Sequence, residues 1–237
     1  PDGCGKTSAI SVIKKYLESY WGPDIVTTRE PGGSTKAEEI RNVIISTDKL
    51  KEDLQPHART FLFLAARIQH IANTILPNLE KNKIVICDRY LDSTNVLQGI
   101  IEDKQRELDY ISAFGKFNYL GTRPDITIYL TATKQTTDNR LSHRVQDNVE
   151  KIWNNVNQNE IWDSYFGQLI REFQHRHGTQ AKTNGHNGIV IKVNANLDKE
   201  GVEKQIKSIV EHICSINFRM TYSYMKTIQL DGCELGV

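Results

Sequence analysis

The chain alternates short β-rich runs with longer helical patterns, and this alternation strongly limits the folds open to it. The β-rich runs cover residues 24–28, 83–88, 125–131 and 189–194. Each is short, rich in β-branched residues and apolar on both faces, as strands buried inside a parallel sheet are. Helical patterns lie between and around them, at residues 7–20, 36–45, 56–81, 139–149, 160–177 and 198–213. The order predicts an α/β fold with a doubly wound parallel sheet and flanking helices.

Composition narrows the class of protein further. The 237 residues are enough for one domain, and the net charge of +1 gives no sign of a nucleic-acid or membrane-surface binder. No stretch approaches the length of an apolar membrane span, and no secretory signal opens the sequence, which predicts a cytoplasmic protein. The four cysteines form no CxxC pair, so we expect free thiols; they are Cys4, Cys87, Cys214 and Cys233.

Residues 2–7, DGCGKT, read as the end of the phosphate-loop motif GxxxxGK[ST], lacking only its first glycine. In such a loop, backbone N–H groups wrap a phosphate, Lys6 reaches the β- and γ-phosphates, and the Thr7 hydroxyl can hold Mg²⁺. The following helix directs its positive end at the same anion. A second element fits this interpretation: Asp88 ends an apolar strand, as the carboxylate that holds Mg²⁺ through water does in P-loop enzymes.

A phosphate loop follows a strand, but here Pro1 already stands inside the loop. We therefore expect a P-loop fold of about five strands, the first of which, with the missing glycine, precedes Pro1 in a longer natural protein. Residues 1–215 are predicted to form one domain. Residues 216–237 fit no pattern and are predicted to be a C-terminal extension of unknown role.

Further motifs separate the classes of P-loop protein. No NKxD motif for guanine is present, and the chain is short for a motor, so a small-molecule kinase is favoured. TREPGG occupies residues 28–33, with EEIR at 38–41. DRYLDS occupies residues 88–93, with Gln98-Gly99 behind it, and FLFLAAR occupies residues 61–67.

In the order and spacing of these motifs, the sequence resembles the thymidylate kinase family over essentially its whole length to about Ser215, and enzymes of large DNA viruses or bacteria most. The resemblance implies transfer of the γ-phosphate of ATP to dTMP, giving dTDP and ADP, with Mg²⁺ as cofactor. It also implies a homodimer packed through helices beside the base site. The protein would act in the cytoplasm, and in the host cytoplasm if viral.

The resemblance assigns acceptor-site residues. Phe63 would stack on thymine and Arg67 would donate to its O4 atom, since positions i and i+4 share one helix face. The other positions implied for dTMP binding are Asp2, Arg41, Arg89, Thr94, Leu97 and Gln98. Of these, Arg41 and Arg89 would bind the monophosphate, and Thr94 and Gln98 would meet the base edge. Asp2 would lie near the 3′-hydroxyl, and Glu30 near the acceptor phosphate and Mg²⁺.

The donor site and its lid, placed at about residues 134–160, are assigned in the same way. The implied ATP-binding positions are Gly3, Cys4, Gly5, Lys6, Thr7, Ser8 and Asn196. Some members carry an arginine in the phosphate loop where this chain has Gly3. Arg140 and Arg144, one helical turn apart in the lid, would supply that charge instead. With Asp2, Lys6, Glu30 and Arg89 they complete the expected catalytic set.

Two departures from the family pattern concern the acceptor pocket and the lid. Leu97 stands where members usually have Tyr or Phe, so the pocket beside the sugar is expected to be roomier. Residues 151–159 look like extra length after the lid. Two alternatives remain open: a deoxynucleoside kinase of the same fold, and a catalytically weak nucleotide-binding module that works by partner contact.

Overall fold

The computed structural model describes residues 1–45, 54–102, 120, 122–143, 158–175, 189–215 and 227–230. Its sheet contains five strands in the order β1-β2-β5-β3-β4, and every neighbouring pair is parallel. In chain order the strands are β1 (Ile25–Arg29), β2 (Ile84–Asp88), β3 (Ile126–Thr131), β4 (Ile189–Asn194) and β5 (Thr227–Leu230). The α/β parallel fold predicted from the sequence is confirmed.

The described helices connect and cover these strands. They are α1 (Lys6–Trp21), α2 (Thr35–Ile45), α3 (Pro56–His70), α4 (Leu76–Glu80), α5 (Leu91–Thr94), α6 (Lys134–Leu141), α7 (Gln158–His175) and α8 (Lys199–Ser215). Two π-helical segments, Ile71–Ile75 and Asn95–Glu102, continue α3 and α5. Among the described residues, no helix has both the length and the apolar character that crossing a bilayer would require.

Apolar side chains bury both faces of the sheet. On one face, Ile13 and Leu17 of α1 join a cluster with strand residues of β2 and β3, and α8 packs beside α1. A second cluster is aromatic: Tyr129 of β3 stacks on Phe166 of α7 at a centroid distance of 4.0 Å. Burial on both faces explains why β2 and β3 read as continuous apolar runs, whereas β1 at the sheet edge is buried mainly at Ile25.

Three sequence predictions need correction. The helix expected at 139–149 begins earlier, at Lys134, because the Thr133 hydroxyl caps it by accepting from the Thr136 N–H at 3.3 Å. The helix expected at 56–81 is interrupted by the π-helical turn at Ile71–Ile75. The C-terminal segment, for which no pattern was found, contains a strand, β5, in the middle of the sheet.

Candidate active site

A cleft of about 1020 Å³ opens at the carboxyl ends of β1 and β2. Ligands of doubly wound sheets bind at this edge, where loops after the strands meet helix N-termini. The cleft gathers most of the predicted site residues: Asp2, Gly3, Gly5, Lys6, Thr7, Ser8, Glu30, Arg41, Phe63, Arg67, Asp88, Arg89, Thr94, Leu97, Gln98 and Arg140. Residues separated by more than a hundred positions thus meet in one concave site.

The phosphate loop forms one wall of the cleft. Gly3 and Gly5 have φ angles of 79° and 86°, a left-handed conformation that side chains disfavour. Helix α1 begins directly after them, at Lys6. The Lys6 ammonium donates to the Pro1 carbonyl at 2.7 Å and lies 3.5 Å from the Asp2 carboxylate. A loop of this shape, with a lysine and a helix N-terminus at its base, can bind a polyphosphate.

Asp2 connects the phosphate loop to the end of β2. Its buried carboxylate pairs with the Arg89 guanidinium, which also donates to the Ser93 hydroxyl at 3.4 Å. Burial by itself raises the pKa of Asp2, but the positive charges of Arg89 and Lys6 outweigh it and hold the pKa below its usual range. Asp2 is therefore an anion at neutral pH and fixes Arg89 at the floor of the cleft.

Thr7 and Asp88 both line the cleft, as a shared metal site requires. The buried Oδ1 atom of Asp88 has no hydrogen-bond partner among the described residues. The described residues contain no cluster of three or more metal-binding side chains. Mg²⁺ commonly uses one or two protein oxygens and takes its other ligands from water and phosphate, so this sparse donor set fits it.

Arg67 of α3 is buried and lines the same cleft. Its Nε donates to the Glu30 carboxylate at 2.6 Å, and its Nη2 donates to the Thr94 hydroxyl at 2.8 Å and to the Tyr90 carbonyl at 3.1 Å. Phe63, one turn earlier on α3, faces the same space. A phenyl group and a fixed guanidinium on one helix face can together contact a flat polar ring.

Gln98 adds a further polar group to the cleft. Its buried Nε2 has no hydrogen-bond partner among the described residues. A buried amide donor without a partner is unfavourable, and a ligand acceptor such as a base carbonyl would satisfy it.

His70 is a site residue that the sequence analysis missed. Its fully buried ring contacts the Glu30 carboxylate through Nδ1 at 3.1 Å and the Thr28 hydroxyl through Nε2 at 2.7 Å. Both oxygens of Glu30 are thus engaged, one by Arg67 and one by His70. Its spacing from Arg67 could have identified it in the sequence, because residues three positions apart share one helix face.

The second half of α6 packs on the phosphate loop. Arg140 approaches the Gly3 carbonyl through Nη1 and the Leu197 carbonyl through Nη2, both at 3.4 Å. A Cβ atom at Gly3 would lie 2.9 Å from the Thr137 carbonyl, so the loop has no room for a side chain there. An arginine from α6 is compatible with this packing, whereas an arginine at position 3 is not. Arg144 and residues 151–157 lie outside the described residues.

Comparison with known proteins bears on what this cleft serves. A family model described as thymidylate kinase matches residues 1–206 of the 237. The chain belongs to the thymidylate kinase family.

Individual relatives agree with the family match. A thymidylate kinase of Staphylococcus epidermidis is 34% identical over 217 residues, which cover 90% of this chain and 95% of that protein. One from Clostridium novyi is 29% identical over 213 residues, 89% of this chain and 95% of its own. The crystal structure of thymidylate kinase from Ehrlichia chaffeensis superimposes with a TM-score of 0.60 at 23% identity, covering 90% of this chain and 94% of that one, and so shares the fold.

Two positions expected to bind ATP in a thymidylate kinase lie away from the cleft lining. The Cys4 side chain is buried in the core beneath α1, so any contact with phosphate would come from its backbone. Asn196 accepts hydrogen bonds from the Thr133 N–H at 2.8 Å and the Thr136 hydroxyl at 3.0 Å, which ties the loop after β4 to the start of α6. The ATP-binding roles of both residues stay predictions.

Proposed function

We propose that the chain transfers the γ-phosphate of ATP to dTMP, giving ADP and dTDP. The observation that carries the proposal is that one cleft is lined both by a phosphate loop and by a buried arginine with a phenylalanine one helical turn from it. The loop suits a polyphosphate donor, and the pair suits a flat base. Family membership supports the same pairing of substrates.

Two further cations that line the cleft, Arg41 and Arg89, fit a monophosphate acceptor. Arg89 is held by Asp2, and Arg41 is anchored through its donation to the Pro31 carbonyl at 3.2 Å. Guanidinium groups bind phosphate oxygens through parallel N–H donors, so both residues are suited to hold the dTMP phosphate in line with the donor. A deoxynucleoside kinase, whose acceptor is a neutral hydroxyl, would have no use for two such cations.

Lys6 and Arg140 would stabilise the charge that develops on the transferring phosphoryl group. Their N–H groups lie against the loop carbonyls of Pro1 and Gly3. Phosphate oxygens would replace those carbonyls, and pre-positioned donors act most strongly where charge increases in the transition state. Bound Mg²⁺, held by Thr7 and Asp88, would neutralise part of the charge on the β- and γ-phosphates.

The homodimer implied by the family resemblance would place exposed apolar residues of α2 and α3 in its interface. Val43 on α2 and Phe61 on α3 have exposed fractions of 47% and 45%, and these two helices pack on each other. We propose that this α2–α3 face pairs with its copy. Sedimentation equilibrium should find a dimer that Phe61→Glu weakens, and a monomeric wild-type protein at micromolar concentration would contradict this. The cytoplasmic location and the viral source stay predictions, and the relatives named above are bacterial.

The direct test follows the phosphate itself. The purified protein, incubated with γ-labelled ATP and dTMP, should move the label into dTDP. If the label remains in ATP or appears only as inorganic phosphate, the proposed activity is wrong. With thymidine in place of dTMP, label should not enter dTMP, and efficient labelling there would favour the deoxynucleoside kinase instead.

A further inference from the structure

His70 is a buried polar residue that the proposed phosphoryl transfer does not use. It is the last residue of α3, its side chain is fully buried, and it does not line the cleft. Its ring nevertheless contacts two residues that do line the cleft, Glu30 and Thr28. A residue placed in this way can affect a substrate only through the groups that it holds.

The two contacts assign the proton on the His70 ring. A carboxylate paired with an arginine accepts hydrogen bonds, so the Nδ1 atom, 3.1 Å from the Oε1 atom of Glu30, carries a proton and donates it. In the neutral ring the Nε2 atom is then an acceptor, and the Thr28 hydroxyl donates to it at 2.7 Å. Both nitrogens are engaged, which fixes the plane of the ring.

Close packing against the loop after β1 also holds the ring in place. A Cβ atom at Gly33 would lie 2.5 Å from both Cδ2 and Nε2 of His70, so the Gly33 backbone lies directly against the ring. Thr74, one turn later in the π-helical segment, donates to the Gly33 carbonyl at 2.6 Å. These contacts attach the loop to α3 and keep the His70 ring facing Glu30.

Glu30 connects His70 to Arg67. Its carboxylate is buried and accepts from Arg67 through Oε2 and from His70 through Oε1. A buried carboxylate is stable only when donors satisfy its oxygens. If His70 were replaced by an apolar residue, Oε1 would lose this donor, and the carboxylate would turn to share the donors of the guanidinium. Arg67 would then leave the orientation in which it donates to the Thr94 hydroxyl.

We propose that His70 is a positioning residue for the acceptor nucleotide: it holds Glu30, and through Glu30 it keeps the Arg67 guanidinium aimed at the base. The inference rests on the proposed function, because Arg67 is the group expected to contact thymine. His70 itself touches neither substrate. The donor side is independent of this arrangement, since Lys6 makes its contacts with Pro1 and Asp2.

Three substitutions at position 70 separate hydrogen bonding from packing. His70→Asn keeps a donor near the place of Nδ1, and His70→Gln keeps a polar group only near the place of Nε2. His70→Phe fills the space with neither. Gln69→Ala is the matched control, because Gln69 is the exposed neighbour of His70 on the same helix. The measurements are KM for dTMP, KM for ATP, kcat and the midpoint of thermal unfolding.

His70→Phe should raise KM for dTMP by roughly ten-fold, as expected for the loss of one hydrogen bond to a charged group, and should leave KM for ATP nearly unchanged. His70→Asn should restore most of the loss and His70→Gln should not, whereas Gln69→Ala should match the wild type. A purely structural role would lower the unfolding midpoint without this selective rise in KM, and would overturn the proposal. Rescue by Gln instead of Asn would also overturn it. If the Phe variant does not fold, the comparison of Asn with Gln decides the point.

A double-mutant cycle tests whether His70 acts through Arg67. When Arg67→Ala is already present, adding His70→Phe should change KM for dTMP by less than about two-fold, because the group that His70 positions is gone. Independent, additive effects of the two substitutions would show that His70 acts by another route, and the proposal would then be wrong.

A measurement without substrate separates this inference from the proposed function. A wild-type protein that fails to phosphorylate dTMP refutes the proposed function but leaves the exchange of the Arg67 Nε–H, followed by ¹⁵N NMR, as the test of His70. Exchange with solvent should be slow in the wild type and in His70→Asn, and at least about ten-fold faster in His70→Phe, since the bond to Glu30 is weakened. Equal exchange in the wild type and the Phe variant would contradict the positioning role.

Discussion

The Nε atom of Arg67 donates to the Oε2 atom of Glu30 at 2.6 Å, and both side chains are buried. His70 holds the other oxygen of Glu30 from the opposite side. Glu30 is thereby fixed, and it fixes the plane of the guanidinium that faces the cleft. The pair gives Glu30 a positioning role in the site. The contact with Mg²⁺ that the family resemblance implies for Glu30 stays a prediction.

Arg67→Ala should weaken the binding of dTMP much more than the binding of ATP. The loss leaves a base acceptor without its donor in a buried site, which costs ~1–3 kcal/mol, so KM for dTMP should rise by roughly ten- to a hundred-fold. Steady-state kinetics with each substrate varied in turn is the measurement. Arg59→Ala is a matched control, because Arg59 lies on the same helix and donates to the Leu54 carbonyl outside the cleft. Equal losses for ATP and dTMP would place Arg67 outside the base pocket.

Lys6→Ala should abolish phosphoryl transfer while the protein stays folded. The Lys6 ammonium is the cation at the base of the phosphate loop, and it is the group placed to meet charge on the β–γ bridge. Initial rates and circular dichroism together decide the point. Lys14→Ala, on the exposed side of the same helix, should leave the rate unchanged. Near-normal kcat in the Lys6 variant would contradict the P-loop interpretation.

Arg140 and Arg144 should act on the transition state more than on binding. Replacing both with alanine is expected to lower kcat by ~10³-fold or more with a modest change in KM, as for interactions made chiefly in the transition state. The single Arg140→Ala variant isolates the residue that approaches Gly3. Lys134→Ala, an exposed cation on the same helix, is the control. A large rise in KM for ATP with normal kcat would show that the two arginines only hold the nucleotide.

Much of this fold can be predicted because it depends on local sequence patterns. Buried parallel strands need apolar residues on both faces, and β2 and β3 carry them. The phosphate loop needs glycine at φ angles near +80°, so Gly3 and Gly5 identify it without any tertiary information. Phe63 and Arg67 could be paired because helical spacing alone places them on one face.

The features that escaped prediction depend on contacts between distant residues. Strand β5 is four residues long and carries threonine and glutamine, so its place is set by pairing with β2 and β3 and not by its own pattern. In the sequence, His70 looks like an ordinary helix residue. Its role depends on tertiary contacts with Glu30 and Thr28, which lie about forty positions earlier in the chain. Helix α6 begins early because the Thr133 hydroxyl caps it. Serine and threonine are common in loops, so one threonine does not by itself mark the start of a helix.

Leu97 should make the pocket beside the sugar more permissive than the family norm. It lines the cleft within the π-helical segment after α5, next to Gln98. Leu97→Tyr should keep activity on dTMP and lose activity on a 2′- or 5-substituted analogue. Binding of the analogue should become weaker by the ~1–3 kcal/mol that overpacking typically costs. Tyr90 also lines this cleft and is the side chain that could fill the space instead. If the wild-type enzyme rejects the bulky analogue as strongly as the variant does, the pocket is not open.

The central claim is that this cleft phosphorylates a thymine nucleotide on its existing phosphate. The most direct measurement is ADP release from Mg·ATP with dTMP, dUMP, thymidine and AMP compared at matched concentrations. The account predicts the highest kcat/KM with dTMP, a lower value with dUMP because it lacks the 5-methyl group, and little or no turnover with thymidine or AMP. Turnover of thymidine above that of dTMP would contradict it, as would equal turnover of AMP and dTMP.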